Sequence, residues 1–522
     1  MSDLPPSITQ HYHERTKYDP DTLARKSQGL DWKTQPLPYK TYKLGKEYDL
    51  KPYLEGQLKE IDRSSESSQE NWQRLSQLLY YSYGLTAVVS GVTTATGDPL
   101  YLRAAPSAGG LYPAEVYLLS RGLSWLPAGL YSYQVRSHSL LQFWDENVWP
   151  DVQAACFWHP SLESTQLAIV VTAVFFRSAW RYQDRAYRRI FLDTGHLLGN
   201  VELAASLQDY RPHLIGGFRD AAMNQVLYLN PDEEGTLVVL PLADLREVTQ
   251  NLPLGRTALP SGVCTNYPLL PDGQLLALCH QATQIEDSPL TGAKLIAPLD
   301  ESVPLTESTD KYNFPFCLRV STQSQPILWG DHLEDLEKSI LRRRSTRAYN
   351  GAPLTLEELA ALLDFTYQPH HYQDQGFDEA PDYFDLSLIE TFVAVSDVKG
   401  LDEGCYYYAP KAQELRQIRF KNFRRELHYL CLGQELGRDA AAIVFHAADL
   451  STAIAQYGDR AYRYLHLDAG HLGQRLNLAA TQLKLGVSGI AGFFDNQVNE
   501  VLGIPTDEAV LYITTLGRAR EG

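Results

Sequence analysis

The chain repeats itself. Residues 182–205 read YQDRAYRRIFLDTGHLLGNVELAA and residues 457–480 read YGDRAYRYLHLDAGHLGQRLNLAA, identical at 14 of 24 positions at an offset of 275 (457 − 182). The same offset pairs Gly217-Phe218 with Gly492-Phe493, Asp220 with Asp495, and Val226-Leu227 with Val501-Leu502. Upstream it pairs GLYSY at 129–133 with GCYYY at 404–408. Chance similarity of two helices does not hold one offset over such distances without a gap. A period this long marks duplicated domains rather than turns of a solenoid. Copy 1 is assigned to residues 1–245, with residues 1–70 as an N-terminal extension, and copy 2 to residues 336–522. The stretch between them, 246–335, is rich in Pro, Thr, Ser and Asp from Asn251 to Pro326 and is read as a linker.

Within each copy, apolar spacing predicts helices over Trp72–Tyr83 and Thr355–Tyr367, where Leu356, Leu359, Leu362 and Leu363 form one face. The tyrosine-rich segments 130–135 and 405–408 read as strands, as do Leu167–Phe176 and Ala441–Phe445. The repeated segment reads as a long helix entered from Asp184 or Asp459. A glycine-bearing turn, a short helix and a closing strand (Thr236–Leu240 or Val510–Thr515) follow. Helices and strands interleave, so each copy is an α+β or α/β domain.

The chain carries 63 Asp and Glu against 46 Lys and Arg, a net charge of −17. Such a surface repels phosphate backbones and anionic lipids, which argues against nucleic-acid and membrane partners. The apolar runs are about half the roughly 20 residues a membrane helix needs. The opening MSDLPPSITQHYHERTK has no apolar stretch of the secretory kind. Six cysteines are scattered without a CxxC pair, which suits reduced thiols in the cytoplasm.

Against that acidic background, residues 342–347 read RRRSTR. Four guanidiniums in six residues suit an anionic ligand, for which Arg, Ser and Thr supply charged and bidentate hydrogen bonds. A solvated charge run is the competing reading. Residues 103–113, RAAPSAGGLYP, combine proline, small residues and two glycines, which let backbone approach a flat ligand; an ordinary turn would look similar. Residues 486–493 read GVSGIAGF and follow a helix, so they are not a Rossmann phosphate loop. Gly216-Gly217 is the copy-1 counterpart. His196 and His471, matched by the offset, read as buried helix residues with a hydrogen bond each. His370, His371 and Asp374 find no recurring ligand set, and no metal site is assigned.

RRSTR at 343–347 resembles the phosphate-binding opening of the FMN-dependent nitroreductase superfamily. PSAGGLYP at 106–113 is similar to the PSAG motif of that superfamily's SagB/ThcOx-type dehydrogenases, which oxidise azolines in ribosomal peptides. IAGFFDNQVNEVLGI at 490–504 resembles the turn that offers a backbone N–H to flavin N5. The resemblance covers nearly the whole chain outside the linker. It implies an α+β fold of two nitroreductase-like domains fused as an intramolecular pseudo-dimer, with FMN as cofactor in the seam; further homo-oligomerisation is compatible with it. Arg343, Arg344, Ser345 and Arg347, with Arg518, would face the phosphate. Pro106, Ser107, Ala108 and Gly109 would close the site from copy 1, and Ala491 and Gly492 would face N5. The Lys-Tyr pair of SagB-type oxidases, assigned to proton transfer, corresponds to Arg181-Tyr182 and Gln456-Tyr457. Tyr182 and Tyr457 are therefore the candidate catalytic residues, while neither Arg nor Gln replaces the lysine as a base.

The repeat makes the site composite. At offset 275, PSAGGL at 106–111 falls on PDYFDL at 381–386, which has lost its small residues. Conversely, copy 2 holds RRSTR, and the nearest copy-1 match is ERTK, Glu14 to Lys17. One intact site and one degraded site are expected. The implied function is an FMN-dependent oxidoreductase exchanging hydride with a small-molecule or peptide substrate, azoline dehydrogenation included. An NAD(P)H-dependent nitro or quinone reductase is the first alternative. A non-catalytic flavoprotein or pseudoenzyme that binds a peptide or partner is the second.

Overall fold

The computed structural model describes residues 5–26, 29–54, 66–93, 97, 99–247, 255–286 and 311–520. Each half is built on a seven-stranded antiparallel sheet. Copy 1 orders its strands Lys46–Asp49, Ser139–Trp144, Gly129–Gln134, Ala114–Ser120, Leu167–Val174, Glu234–Asp244, Tyr210–Pro212. Copy 2 orders them Arg319–Ser321, Glu414–Arg419, Gly404–Ala409, Glu390–Val395, Ala442–Asp449, Glu508–Gly517, Gly486–Ile490. The duplication reaches the irregularities. The bulge between Leu130 and Tyr131 recurs between Cys405 and Tyr406, and that between Val171 and Thr172 recurs between His446 and Ala447. Both faces of each sheet are covered, so central strands such as Leu167–Val174 are apolar at every position but Thr172 instead of alternating.

Between the sheets lie the helices of the repeated segment, Ala186–Ser206 and Ala461–Gln482. The segment is not one continuous helix. Helices Phe175–Tyr182 and Leu450–Tyr457 end first, and the chain turns at Gln183 (φ 48°) or Gly458 (φ 62°). A single turn over Gln183–Arg185 or Gly458–Arg460 then leads into the central helix. Tyr182 and Tyr457 consequently sit at corners. The segment GVSGI, expected as a turn, is the edge strand Gly486–Ile490: a methyl on Gly489 would lie 2.6 Å from Cζ of Tyr512, so only glycine lets the strand lie on that ring.

The central helices cross at Gly195 and Gly470. A methyl on Gly195 would overlap the carbonyl oxygen of Leu467 and lie 2.8 Å from Cα of Gly470; a methyl on Gly470 would meet Leu192 and Gly195 in the same way. Contacts at 192/467 and 195/470 are thus exchanged between copies, as across a two-fold axis. Two buried clamps flank the crossing. Asp495 of copy 2 accepts from Arg185 and Arg188 of copy 1, both at 2.7 Å; Asp220 of copy 1 accepts from Arg460 at 2.6 Å and Arg463 at 2.7 Å.

The stretch between the copies is built into this interface. Arg185 and Arg188 also donate to the carbonyl and hydroxyl of Thr16, and Arg460 and Arg463 to those of Thr283. His13 meets the Tyr462 hydroxyl and His280 meets that of Tyr187. Helix Leu275–Ala282 therefore repeats the part of helix Ile8–Arg15 at an offset of 267 (283 − 16). The segment Glu14–Lys17 is then the partner of Gln281–Gln284, not of RRSTR. Residues 287–310 of the expected linker lie outside the described residues.

Gly195→Ala should destabilise the chain by about 1–3 kcal/mol, because backbone on both sides cannot yield. Gly262→Ala, with nothing near its added methyl, should leave the melting temperature unchanged. Thermal denaturation of both variants checks the difference.

Candidate active site

The cleft on one side of the crossing begins at RRSTR. Thr346 pairs with strand Gly486–Ile490, its N–H donating to Val487 O at 2.8 Å and its hydroxyl accepting from Val487 N at 2.9 Å. The Arg343 guanidinium is buried against copy 1, donating to Ala104 O at 2.8 Å and Arg103 O at 3.2 Å, while its Nη1 has no partner. Burial lowers its pKa to about 10. Arg344 donates to Thr86 O at 2.8 Å. Ser345 is half-buried and Arg347 exposed, neither with a hydrogen-bond or ionic partner among the described residues. Arg518 is paired with Glu358 at 2.7 Å, beside the same segment. Of the predicted basic set, Arg347 is thus uncommitted, while Arg343 and Arg344 tie the copies together.

Arg343 reaches the backbone just ahead of Pro106, and so joins RRSTR to PSAG. Ser107 donates to Asp193 at 2.5 Å, the Ala108 N–H donates to the same carboxylate at 3.1 Å, and Ser107 Oγ accepts from Tyr112 N. Gly109 and Gly110 take φ of 67° and 66°, which favours glycine, and a methyl on Gly109 would lie 2.7 Å from the Tyr182 hydroxyl. Asp193 is buried, and desolvation raises its pKa to about 7 against the bonds from Ser107 and Ala108.

At the far end of the edge strand, Ala491 O accepts from Arg189 at 3.3 Å, and a methyl on Gly492 would lie 3.2 Å from that guanidinium. Arg189 stacks on Tyr182, 3.5 Å from the ring centroid, and Tyr18 stands beside both arginines 185 and 189. Burial favours the neutral phenol of Tyr18, but the charges of Arg189 and Arg185 outweigh it and lower its pKa. The structure therefore links Arg343, Ser107, Ala108, Gly109, Tyr182, Ala491 and Gly492 through one run of contacts spanning both copies. The same run of contacts includes Asp193, Arg189 and Tyr18, which sequence reasoning passed over. Asp193 was signalled, as the repeated aspartate three residues before the repeated histidine.

The pseudo-equivalent cleft is filled by the protein itself. Asp468, the counterpart of Asp193, accepts from the N–H groups of Phe384 and Asp385 at 3.0 and 2.8 Å. The Phe384 ring stacks on Tyr464 at 4.8 Å, and both crowd Gly216 so closely that a methyl there would lie 2.6 Å from Tyr464. Leu259 covers Gly217, and Thr257 O accepts from Gly216 N at 2.7 Å. Tyr457 belongs to this side, with Gln456 and Tyr457 both donating to Asp385. The two candidate tyrosines therefore do not share a site. Cys156, Cys279, Cys317, Cys405 and Cys431 are buried free thiols, and no group of three metal-binding side chains occurs among the described residues. No helix among them is long and apolar enough to cross a membrane.

Comparison with known proteins matches this architecture. A crystal structure of a nitroreductase-type protein from Anabaena variabilis is 65% identical, with a TM-score of 0.91, over 99% of this chain and 100% of that one. A nitroreductase-type protein of Methanocaldococcus jannaschii is 34% identical over 186 residues, which are 36% of this chain and 92% of that protein. The trifolitoxin-processing protein TfxF of Rhizobium leguminosarum bv. trifolii is 29% identical over 136 residues, 26% of this chain and 43% of that protein. The Nitroreductase family model matches twice, at residues 85–243 and 340–518, one match on each sheet. The chain is a member of the nitroreductase family, with one family unit in each half.

Proposed function

We propose that this nitroreductase-type oxidoreductase binds one FMN per chain, in the cleft between RRSTR, PSAG and Gly492. The observation that carries the reading is the unequal fate of two pseudo-equivalent clefts. One is lined by small residues and an uncommitted arginine, and the other is packed with Phe384, Tyr464 and Leu259. The residues fit such a cofactor: Arg347 is exposed without a counter-ion, and Nη1 of Arg343 is buried without an acceptor. Ser345 and Arg347 would hold the phosphate, and the PSAG backbone, pinned by Asp193, would lie along the ring system. Bound FMN would supply hydride exchange at N5. Tyr182 then stands over Gly109 as the proton-handling group. Burial raises its pKa against the nearby Arg189 and Arg181, so its Oη stays protonated and donating at neutral pH. Tyr457, bound to Asp385 in the filled cleft, is not assigned that role. The PSAGGLYP motif and the relative named for trifolitoxin processing favour dehydrogenation of a modified peptide, azolines included.

Purified protein should carry one flavin per chain by absorbance against protein mass; two would overturn the assignment of a filled cleft. Arg347→Ala should weaken FMN about tenfold or more, since a charged hydrogen bond contributes roughly 1.5–3 kcal/mol and about 1.4 kcal/mol is one decade. Gly109→Val should do comparable damage, whereas Phe384→Ala should leave flavin affinity and stoichiometry unchanged. Fluorescence titration of the three variants distinguishes these outcomes. Tyr182→Phe should retain flavin but slow turnover by about 10²–10⁴. An unchanged rate would remove Tyr182 from the chemistry.

A further inference from the structure

The arginines around the repeated helix fall into two classes. Arg185 and Arg188 match Arg460 and Arg463 in the other copy, and both pairs are neutralised by a buried aspartate. Arg181 and Arg189 have no such match: the offset places Gln456 (456 − 181 = 275) and Tyr464 (464 − 189 = 275) opposite them. Neither has a carboxylate partner among the described residues. Both stand around Tyr182 and Gly109, on the side proposed for FMN. Arg189 is 5% exposed, and its Nη1 is buried with no acceptor. Arg181 is exposed, with its Cδ 3.4 Å from a methyl built on Gly109.

The charge of Arg189 meets only partial compensation, from Tyr18 and from Asp193 at longer range, and no ion pair among the described residues. A buried guanidinium without a carboxylate is costly. Arg189 has only Ala491 O, the Tyr182 ring and the Tyr18 phenol beside it, with Nη1 unpartnered, whereas the fold supplies an aspartate to its neighbours four and one residues earlier. Asp193, four residues on, accepts from Ser107 and Ala108 and forms no ion pair with Arg189, although the arginine's charge lowers its pKa against the effect of burial. In the packed counterpart the same position holds a neutral ring stacked on Phe384. The phosphate end lies elsewhere: RRSTR pairs at Val487, while Arg189 meets Ala491 and Gly492 past the other end of strand Gly486–Ile490. At about 3.3 Å per residue, the four steps from Val487 to Ala491 set the two backbone contact points roughly 13 Å apart along the strand.

We propose that Arg189, assisted by Arg181, binds an anionic group of the substrate, a carboxylate, beside Tyr182. The inference deepens the FMN reading and rests on it for which wall of the cleft faces the reacting ring. A planar guanidinium with a free N–H edge suits a carboxylate better than a neutral amide, which brings its own donors. The cleft then selects substrates carrying a carboxylate near the carbon that exchanges hydride.

The test titrates the flavin-loaded full chain with benzoate and with benzamide, its uncharged analogue of similar shape. Binding is followed by the visible flavin spectrum and by calorimetry. Benzoate should bind about tenfold or more tightly than benzamide. Arg181→Gln, a substitution at an exposed position, should reduce that preference. Arg189→Met should abolish it and Arg189→Lys should keep part of it, each measured as the benzoate-to-benzamide ratio on the flavin-loaded fraction. Equal binding of the two probes to the loaded wild-type chain would overturn the proposal. So would a preference that survives Arg189→Met. A chain that binds no flavin would overturn the FMN reading instead, and calorimetry of the two probes on that chain still decides whether Arg189 takes an anion.

Discussion

The crossing of helices Ala186–Ser206 and Ala461–Gln482 at Gly195 and Gly470 brings two backbones into contact, with no room for a side chain at either residue. Such an approach must be held in register, and the clamps of Asp495 and Asp220 on four buried arginines supply directional bonds for that. Buried ion pairs are poor sources of net stability because desolvation opposes the attraction. Removing one aspartate would strand two guanidiniums, at a cost of about 3–5 kcal/mol on the scale of a broken buried pair. The clamps are better understood as fixing which helix turn faces which. Because each clamp takes its acid from one copy and its bases from the other, neither half completes this interface alone.

A two-fold arrangement generates two clefts, and the chain has treated them differently without disturbing what they share. The clamps, the threonine and histidine contacts of Thr16 and Thr283, and the loop-holding aspartates Asp193 and Asp468 are kept on both sides. Divergence is confined to the residues between them. Where one side has Gly109, Arg189 and Arg181, the other has Phe384, Tyr464 and Gln456. Large rings packed against Gly216 close the second cleft, since an unfilled apolar gap in a core is destabilising. Fusion in one chain permits this asymmetry; two identical subunits would have to change both clefts together.

Much of this was legible in the residues. The offset of 275 carries strands 129–134 and 139–144, helix 175–182 and even the β-bulges onto their counterparts. Arg343 of RRSTR reaches the backbone just ahead of PSAG, and Tyr182 and Arg189 of copy 1 link Gly109 to Ala491-Gly492 of copy 2. What escaped has identifiable causes. The second occurrence of the N-terminal helix, Leu275–Ala282, sits at offset 267, so a comparison at a single offset passes it by, and its sequence resembles helix Ile8–Arg15 chiefly at the histidine and threonine that touch the arginines. Gly486–Ile490 looked like a turn because glycines weaken strand propensity, yet they are needed where the strand lies on Tyr512. Tyr182 and Tyr457 looked equivalent because equivalence in sequence carries no information about which cleft is open.

Local pattern determined the elements, the duplication and the segments able to hold an anion or approach a flat ring, because these depend on spacing along the chain. Only the tertiary structure decided which arginines were already spent. Arg343 and Arg344 are committed to backbone of the other copy, Arg185 and Arg188 to Asp495, and Arg347, Arg181 and Arg189 to no carboxylate among the described residues. Sequence lists the charges, but whether a charge is neutralised depends on groups hundreds of residues away that folding brings within 3 Å.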